Sequence, residues 1–159
     1  MKSFFFYQTA MGRLRISSDS DSGYITGISF FETALPDSIE RETPLLQKMY
    51  LELEEYFERK RYTFDIPIKP AGTPFQQSVW SALQTIPYGE TRSYKEIAAI
   101  IGNPAACRAV GLANNRNPIP IVIPCHRVIG TNGALVGYAG GLDFKRKLLG
   151  LEQGIGRYL

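Results

Sequence analysis

Three prolines alternate with aliphatic residues in Pro118-Ile119-Pro120-Ile121-Val122-Ile123-Pro124, and this run restricts the backbone severely. Each proline lacks an N–H and has its φ locked, and each biases its predecessor away from helix. The segment is therefore expected to be stiff, apolar and extended. It delivers Cys125 beside His126, the one histidine in 159 residues. A thiol held this way is either a buried structural residue or a positioned nucleophile. Free cysteine usually behaves as a small buried hydrophobe. These two residues alone favour the structural reading, and the rest of the chain reverses it.

The length fits one domain, or two small ones. Hydrophobic residues make up 44% of the chain, enough for an ordinary core. No apolar run is long enough to cross a membrane, and Met1-Lys2-Ser3-Phe4-Phe5-Phe6 lacks a signal peptide's cleavage pattern. A cytoplasmic protein with no membrane partner is the expectation. Only Cys107 and Cys125 are present, so no disulfide framework is implied. Two cysteines and one histidine cannot make a four-ligand zinc site without a carboxylate, so no metal is expected.

The charge is unevenly spread. Residues 1–70 carry nine Lys/Arg and eleven Asp/Glu, whereas residues 71–159 carry nine Lys/Arg and four Asp/Glu. The basic second half suggests an anionic partner, with nucleic acid the usual candidate. Such asymmetry is common and is weak support by itself.

The first third reads as strands. Leu14 and Ile16 alternate with polar neighbours, Tyr24 to Phe31 is β-rich, and Ser17 to Gly23 is a polar connection. Phe64, Ile66 and Ile68 alternate again. Between them Thr43 caps a helix with Pro44 at its first position, and Leu46, Met49, Tyr50, Leu53 and Phe57 recur at helical spacing. Its acidic residues read as a solvated outer face. The expectation for residues 1–70 is an α/β domain, a small antiparallel sheet with one helix across it.

Lys69-Pro70-Ala71-Gly72 looks like a junction, and residues 71–159 are expected to form a mostly helical second domain. Thr73-Pro74 opens a helix with Phe75, Val79, Leu83 and Ile86 inward, and Trp80 is expected to pack between the halves. Ser93 and Glu96 form a capping box that opens a helix containing Ile97, Ile100 and Ile101, ended by Gly102. Asn103-Pro104 opens the next helix, Ala105 to Ala113. Helix, glycine turn, helix is the helix-turn-helix pattern, although a core hairpin is its commoner fate. The second helix is nearly all small residues and carries one charge, Arg108. That shape suits a groove about 6 Å wide better than one about 12 Å wide, so the minor groove is favoured. Arg108 could then wedge into the base stack. After the cysteine segment, Gly137 to Gly141 forms an open loop. A last helix carries Phe144, Leu148 and Leu151 inward, with Glu152 near its end. Lys145, Arg146 and Lys147 read as its solvated face, and Cys107 as core packing.

In an extended segment neighbouring side chains point to opposite faces, so His126 needs a turn or a water to reach the Cys125 sulfur. A free thiol has a pKa of about 8.5, so a base must take its proton. The base in turn needs an orienting acceptor, and Glu152 is the best candidate.

Pro124-Cys125-His126-Arg127-Val128, preceded by Asn117-Pro118 and followed by Gly137-Tyr138-Ala139-Gly140-Gly141, closely resembles the O6-alkylguanine-DNA alkyltransferases. The likeness extends through Tyr88 to Tyr94, Gly102-Asn103-Pro104 and Arg108 to Gly111, and on to Leu148-Leu149 and Glu152. It spans essentially all of residues 73–153. It implies a ribonuclease-H-like first domain and a winged-helix-like, DNA-binding, alkyl-accepting second domain. It implies direct-reversal DNA repair: one irreversible transfer of an alkyl group from O6-alkylguanine in duplex DNA to Cys125, after base flipping. O4-alkylthymine is a second candidate substrate. In that resemblance Cys125 is the nucleophile, His126 the base through a water, and Glu152 its orienter. Asn117 stabilises the turn, and Tyr94 donates to the leaving guanine. Arg108 fills the space of the flipped base. Ala105, Ala106, Gly111 and Arg116 lie at the DNA, and Val128, Tyr138, Ala139 and Gly140 line the guanine pocket. A monomer without cofactor is implied.

Some family members hold a structural zinc, which one histidine cannot reproduce here. Ala139 stands where some members have serine, as in members with broader alkyl tolerance. Two other readings stay open on the residues alone. One is a DNA-binding module with an inert Cys125. The other is a cysteine hydrolase using Cys125 and His126.

Overall fold

The computed structural model describes residues 1–31, 33–138 and 140–154. The chain divides into two compact units, Met1–Ala71 and Gly72–Leu159. No helix among the described residues is long and apolar enough to cross a membrane.

The first unit is a four-stranded sheet with a helix against it. The strands are β1 (Lys2–Thr9), β2 (Gly12–Asp19), β3 (Tyr24–Ser29) and β4 (Ile39–Glu40), in the order β3-β2-β1-β4. β1–β2 and β2–β3 are antiparallel, and the short β4 joins β1 in parallel. The phenylalanine run at the N-terminus is thus a central strand, which the sequence analysis did not assign. β2 also runs on through Ser17, Ser18 and Asp19, so the connection to β3 is shorter than expected. Phe64 to Ile68 does not form a strand. Ile25 donates to the Pro67 carbonyl and accepts from Lys69 N, making a single parallel bridge with Ile68. Pro67 and Pro70 have no N–H with which to extend that ladder.

Helix α1 (Pro44–Phe57) begins as expected, with Thr43 accepting from Leu46 N. It buries Leu46, Met49, Leu53, Tyr56 and Phe57. Each such aliphatic side chain stabilises the fold by about 1.5–3 kcal/mol when fully buried. Its acidic face is not wholly solvated. Glu52 is buried, accepting from Asp65 N at 3.0 Å and lying 3.6 Å from Arg61.

The second unit holds α2 (Pro74–Leu83), β5 (Arg92–Ser93), α3 (Tyr94–Ile100), α4 (Cys107–Asn115), β6 (Val128–Ile129) and α5 (Leu142–Gln153). Reciprocal capping boxes start α2 (Thr73 with Gln76) and α3 (Ser93 with Glu96). Trp80 is buried inside this unit, donating from Nε1 to the Ala113 carbonyl at 2.9 Å and tying α2 to α4. It therefore belongs to the second unit's own core. Ile97 is buried, but Ile100 is exposed at the end of α3. Gly102 (φ +79°) makes the turn out of α3, and α4 begins at Cys107, leaving Ala105 and Ala106 in the turn ahead of it.

Candidate active site

The proline segment does not run straight into Cys125. Ile121 adopts φ +77°, and Pro120 bridges Ile123, so the chain folds back on itself. Asn117 holds this turn, donating from Nδ2 to the Ile123 carbonyl at 2.8 Å and accepting from Ile119 N at 2.9 Å. Cys125, His126 and Arg127 then form one turn of 3₁₀ helix instead of an extended stretch. The expected opposition of the Cys125 and His126 side chains is therefore lifted, because the turn sends successive residues round an axis. Asn114, buried in α4, donates to the Cys125 carbonyl at 3.3 Å.

All three residues of the turn are buried, with Cys125 2% exposed and His126 0%. His126 Nε2 lies 2.6 Å from Glu152 Oε2. Arg127 donates from Nε to Glu152 Oε1 at 2.8 Å and from Nη2 to Oε2 at 2.9 Å. Its Nη1 donates to the Ile86 carbonyl at 2.7 Å. Gly89 N, in a turn with φ +80°, donates to Oε1 at 3.2 Å. Four donors thus converge on one carboxylate. Burial alone would raise the Glu152 carboxyl, but the attraction and hydrogen bond of His126 and the bonds from Arg127 outweigh it. They hold it well below the usual carboxylate range.

With Glu152 ionised, Nε2 of His126 carries the proton, and Nδ1 keeps its lone pair. Nδ1 is buried and has no hydrogen-bond partner among the described residues. Burial lowers the imidazole pKa, Glu152 pulls it up, and the charges of Arg127 and Lys145 press it down again. Its net direction is down, so His126 is a neutral base.

Burial pushes the Cys125 thiol up to about 11, against the pull of the Asn117 side chain, the Lys145 charge and the Tyr138 hydroxyl. Such a thiol is protonated at neutral pH and needs a base before it can attack. Lys145 departs most sharply from the expected solvated face. It is 0% exposed, not solvated. Its Nζ donates to the carbonyls of Val128 at 2.5 Å, Val136 at 2.9 Å and Gly137 at 3.3 Å. Burial lowers it to about 8, while a negative Cys125 raises it.

Tyr94 donates to the Val136 carbonyl at 2.8 Å. It lines a cavity of about 480 Å³ with Cys107, Arg108, Gly111, Val136 and Gly137. Cys107 is therefore half-buried on a cavity wall and not core packing. Arg108 is exposed there, and a Cβ added at Gly111 would make ordinary contact with the Tyr94 ring, at 3.9 Å. Burial and the neighbouring Cys125 both raise the Tyr94 hydroxyl.

Val128 is buried and pairs with Arg92, and the Tyr138 phenol is pushed far up by burial and by Cys125. Gly140 is half-buried in the turn before α5. Ala139 lies outside the described residues. Arg116 is exposed at the end of α4 and lines a separate cavity of about 200 Å³. Among the described residues no group of three or more His, Cys, Asp or Glu is arranged to hold a metal.

Cys125, His126, Glu152 and Asn117 thus meet in one cluster, with Tyr94 and Tyr138 beside it. Arg108 and Gly111 are on the cavity wall, and Arg116 is elsewhere. Arg127, Lys145 and Asn114 join the cluster although the sequence motif assigns them no role. Lys145, Leu148, Leu149 and Glu152 share the i, i+3, i+4, i+7 stripe of α5, which was the available signal for an inward lysine.

A family model described as 6-O-methylguanine DNA methyltransferase, DNA binding domain, matches residues 74–154. A second, its ribonuclease-like domain, matches residues 4–70. The methylated-DNA–protein-cysteine methyltransferase of Methanosarcina acetivorans is 49% identical over 150 residues, 92% of this chain and 95% of that one. The constitutive enzyme of that name from Bacillus subtilis is 46% identical over 154 residues, 92% of each chain. The Mycobacterium tuberculosis OGT structure in complex with DNA superposes with a TM-score of 0.89 at 41% identity, covering 98% of this chain and 96% of that one. From the two domain matches and these near full-length likenesses, this chain belongs to the 6-O-methylguanine DNA methyltransferase family.

Proposed function

We propose that this chain repairs DNA by moving the alkyl group of O6-alkylguanine onto Cys125, irreversibly and once per molecule. The observation that carries the reading is the buried pair of His126 and Glu152 at 2.6 Å, which leaves Nδ1 as a free base in the turn that holds the thiol. Relatives named methylated-DNA–protein-cysteine methyltransferase supply the substrate class.

In this mechanism His126 Nδ1 takes the Cys125 proton through one water, and Glu152 orients the ring by accepting from Nε2–H. The thiolate attacks the alkyl carbon in line, forming S–C as C–O6 breaks. The C–O6 electron pair passes into the guanine, which gains a proton as it leaves, helped by the Tyr94 hydroxyl. Proton and alkyl group balance: thiol and O6-alkylguanine become thioether and guanine. No cofactor takes part, and the thioether has no route back, so the protein is consumed.

The target atom lies inside the duplex, so the nucleotide must be turned out, at a cost of a few kcal/mol. Alkylated guanine pairs poorly, which lowers that cost. Arg108, exposed on a slim helix, suits a minor-groove wedge that fills the gap, with Ala105, Ala106 and Gly111 allowing close approach and Arg116 near phosphates. The cavity of about 480 Å³ is of ligand size. Val128, Tyr138, Ala139 and Gly140, which the resemblance assigns to the guanine pocket, are proposed as base contacts, and the chain acts as a monomer.

Intact-protein mass after mixing with a duplex carrying one O6-methylguanine tests this. The expected result is one added methylene per chain, mapped to Cys125 and absent in Cys125→Ala, which still binds the lesion. Unchanged mass with tight binding would make the chain a lesion-binding module. Repeated turnover of an acyl substrate would make it a hydrolase.

A further inference from the structure

We propose that Arg127 is a positioning residue that keeps His126 neutral and in the Nε2–H tautomer by neutralising Glu152 from its far side. This rests on the alkyl-transfer reading above and adds a residue to it.

The geometry is specific. Arg127 grips both oxygens of Glu152 through Nε and Nη2, at 2.8 and 2.9 Å. The third arm of the guanidinium is fixed on the Ile86 carbonyl at 2.7 Å, and its Cζ lies 5.7 Å from the Tyr88 ring centre. Arg127 and Glu152 are both buried. A carboxylate alone against a buried imidazole draws a second proton onto it. That proton would occupy Nδ1, the atom that must accept from the thiol. The paired guanidinium cancels most of that field at short range and occupies one lone pair on each oxygen. Glu152 is left able to accept from Nε2–H but with little net charge to hold an imidazolium in the resting state.

The other groups facing His126 act in the same sense. Lys145 of α5 opposes protonation, as does burial itself, and Glu152 alone favours it. Cys125 is protonated, and its neighbours Tyr94 and Tyr138 are held neutral. Removing the Arg127 charge therefore leaves the Glu152 field uncompensated, and the imidazole pKa rises.

Because His126 is the only histidine, its ring can be followed by ¹⁵N NMR without assignment ambiguity. In the unmodified protein the expected spectrum at pH 7 is that of a neutral ring protonated on Nε2, titrating below about 6.5. In Arg127→Gln the titration moves up by about one pH unit or more. The acid limb of the pH profile for alkyl transfer moves with it. Arg127→Lys keeps the charge, so its acid limb stays near that of the parent even where its stability falls. A purely structural arginine would lower the stability of both variants and leave both pH profiles in place, and that result overturns the proposal. So does an Nδ1–H or charged ring in the unmodified protein at pH 7, a result that needs no variant to fold. A parent protein that transfers no alkyl group at all would instead overturn the functional reading.

Discussion

Glu152→Gln tests the site most severely, because the carboxylate accepts four hydrogen bonds and donates none. Oε1 receives Arg127 Nε and Gly89 N, and Oε2 receives His126 Nε2 and Arg127 Nη2. An amide has one oxygen and one NH₂. With NH₂ at the Oε1 position it faces two N–H donors. With NH₂ at the Oε2 position it faces Arg127 Nη2, and His126 can accept from it only by moving its proton to Nδ1. The first arrangement breaks the packing of donors, and the second captures the wrong tautomer. Breaking one partner of a buried ion pair costs about 3–5 kcal/mol. For a chain of this size that lowers Tm by about 6–20 °C. The tautomer error predicts a fall in transfer rate of up to about 10⁴-fold, the scale of the matching carboxylate-to-amide change in a serine protease triad. Differential scanning calorimetry gives the first number, and single-turnover transfer from an O6-methylguanine duplex, well below the variant's Tm, gives the second. Transfer at the parent rate would refute the orienting role, and an unchanged Tm would refute the four-donor geometry.

Arg108→Ala should leave stability within about 0.5 kcal/mol of the parent, since the side chain is exposed. It should slow transfer from duplex DNA by about ten- to a hundredfold while sparing a free O6-alkylguanine base; equal slowing on both substrates would count against a wedge. Lys145→Met removes a cation that lowers the thiol pKa and strands three carbonyls. Its transfer rate at pH 8 should fall about tenfold for each pKa unit gained by the thiol, and a pH profile superimposing on the parent's would exclude that role. Gly72→Ala would set a Cβ 2.4 Å from Cη2 of the buried Trp80 ring, so a loss of about 1–3 kcal/mol is expected in chemical denaturation, and an unchanged midpoint would show that the ring can move. Stability should fall on acidification. His126 is lowered in the fold, so the unfolded chain takes up its proton first, from about pH 6.5 downward. Glu152 is depressed, so its contribution is complete above the unfolded value of about 4.3 and is lost as pH falls towards the folded one. A Tm that stays flat from pH 7 to pH 5 would contradict the histidine direction, and one that stays flat from pH 4 to pH 2 the carboxylate direction.

Local rules carried much of the fold. Thr43, Thr73 and Ser93 were legible as helix starts because a cap needs only its own residue and the next turn. The helix-turn-helix was legible from Gly102 and the spacing around it. Phe4 to Phe6 was not, since three consecutive aromatics show no alternation until sheet partners are known. Phe64 to Ile68 failed in the opposite sense: the alternation was present, but prolines left it no ladder to join.

By itself the sequence placed a cysteine, a histidine beside it and a carboxylate at position 152, because the motif and its flanks hold them in order along the chain. Tertiary structure alone decided how they meet. Only a 3₁₀ turn resolves the opposed directions of Cys125 and His126. Only the return of α5 brings Glu152 between His126 and Arg127 and turns Lys145 inward onto three carbonyls. The physical reason is that hydrogen bonding to a buried charge depends on positions in space, and a charged residue reads as solvated until the chain encloses it and supplies every partner it needs.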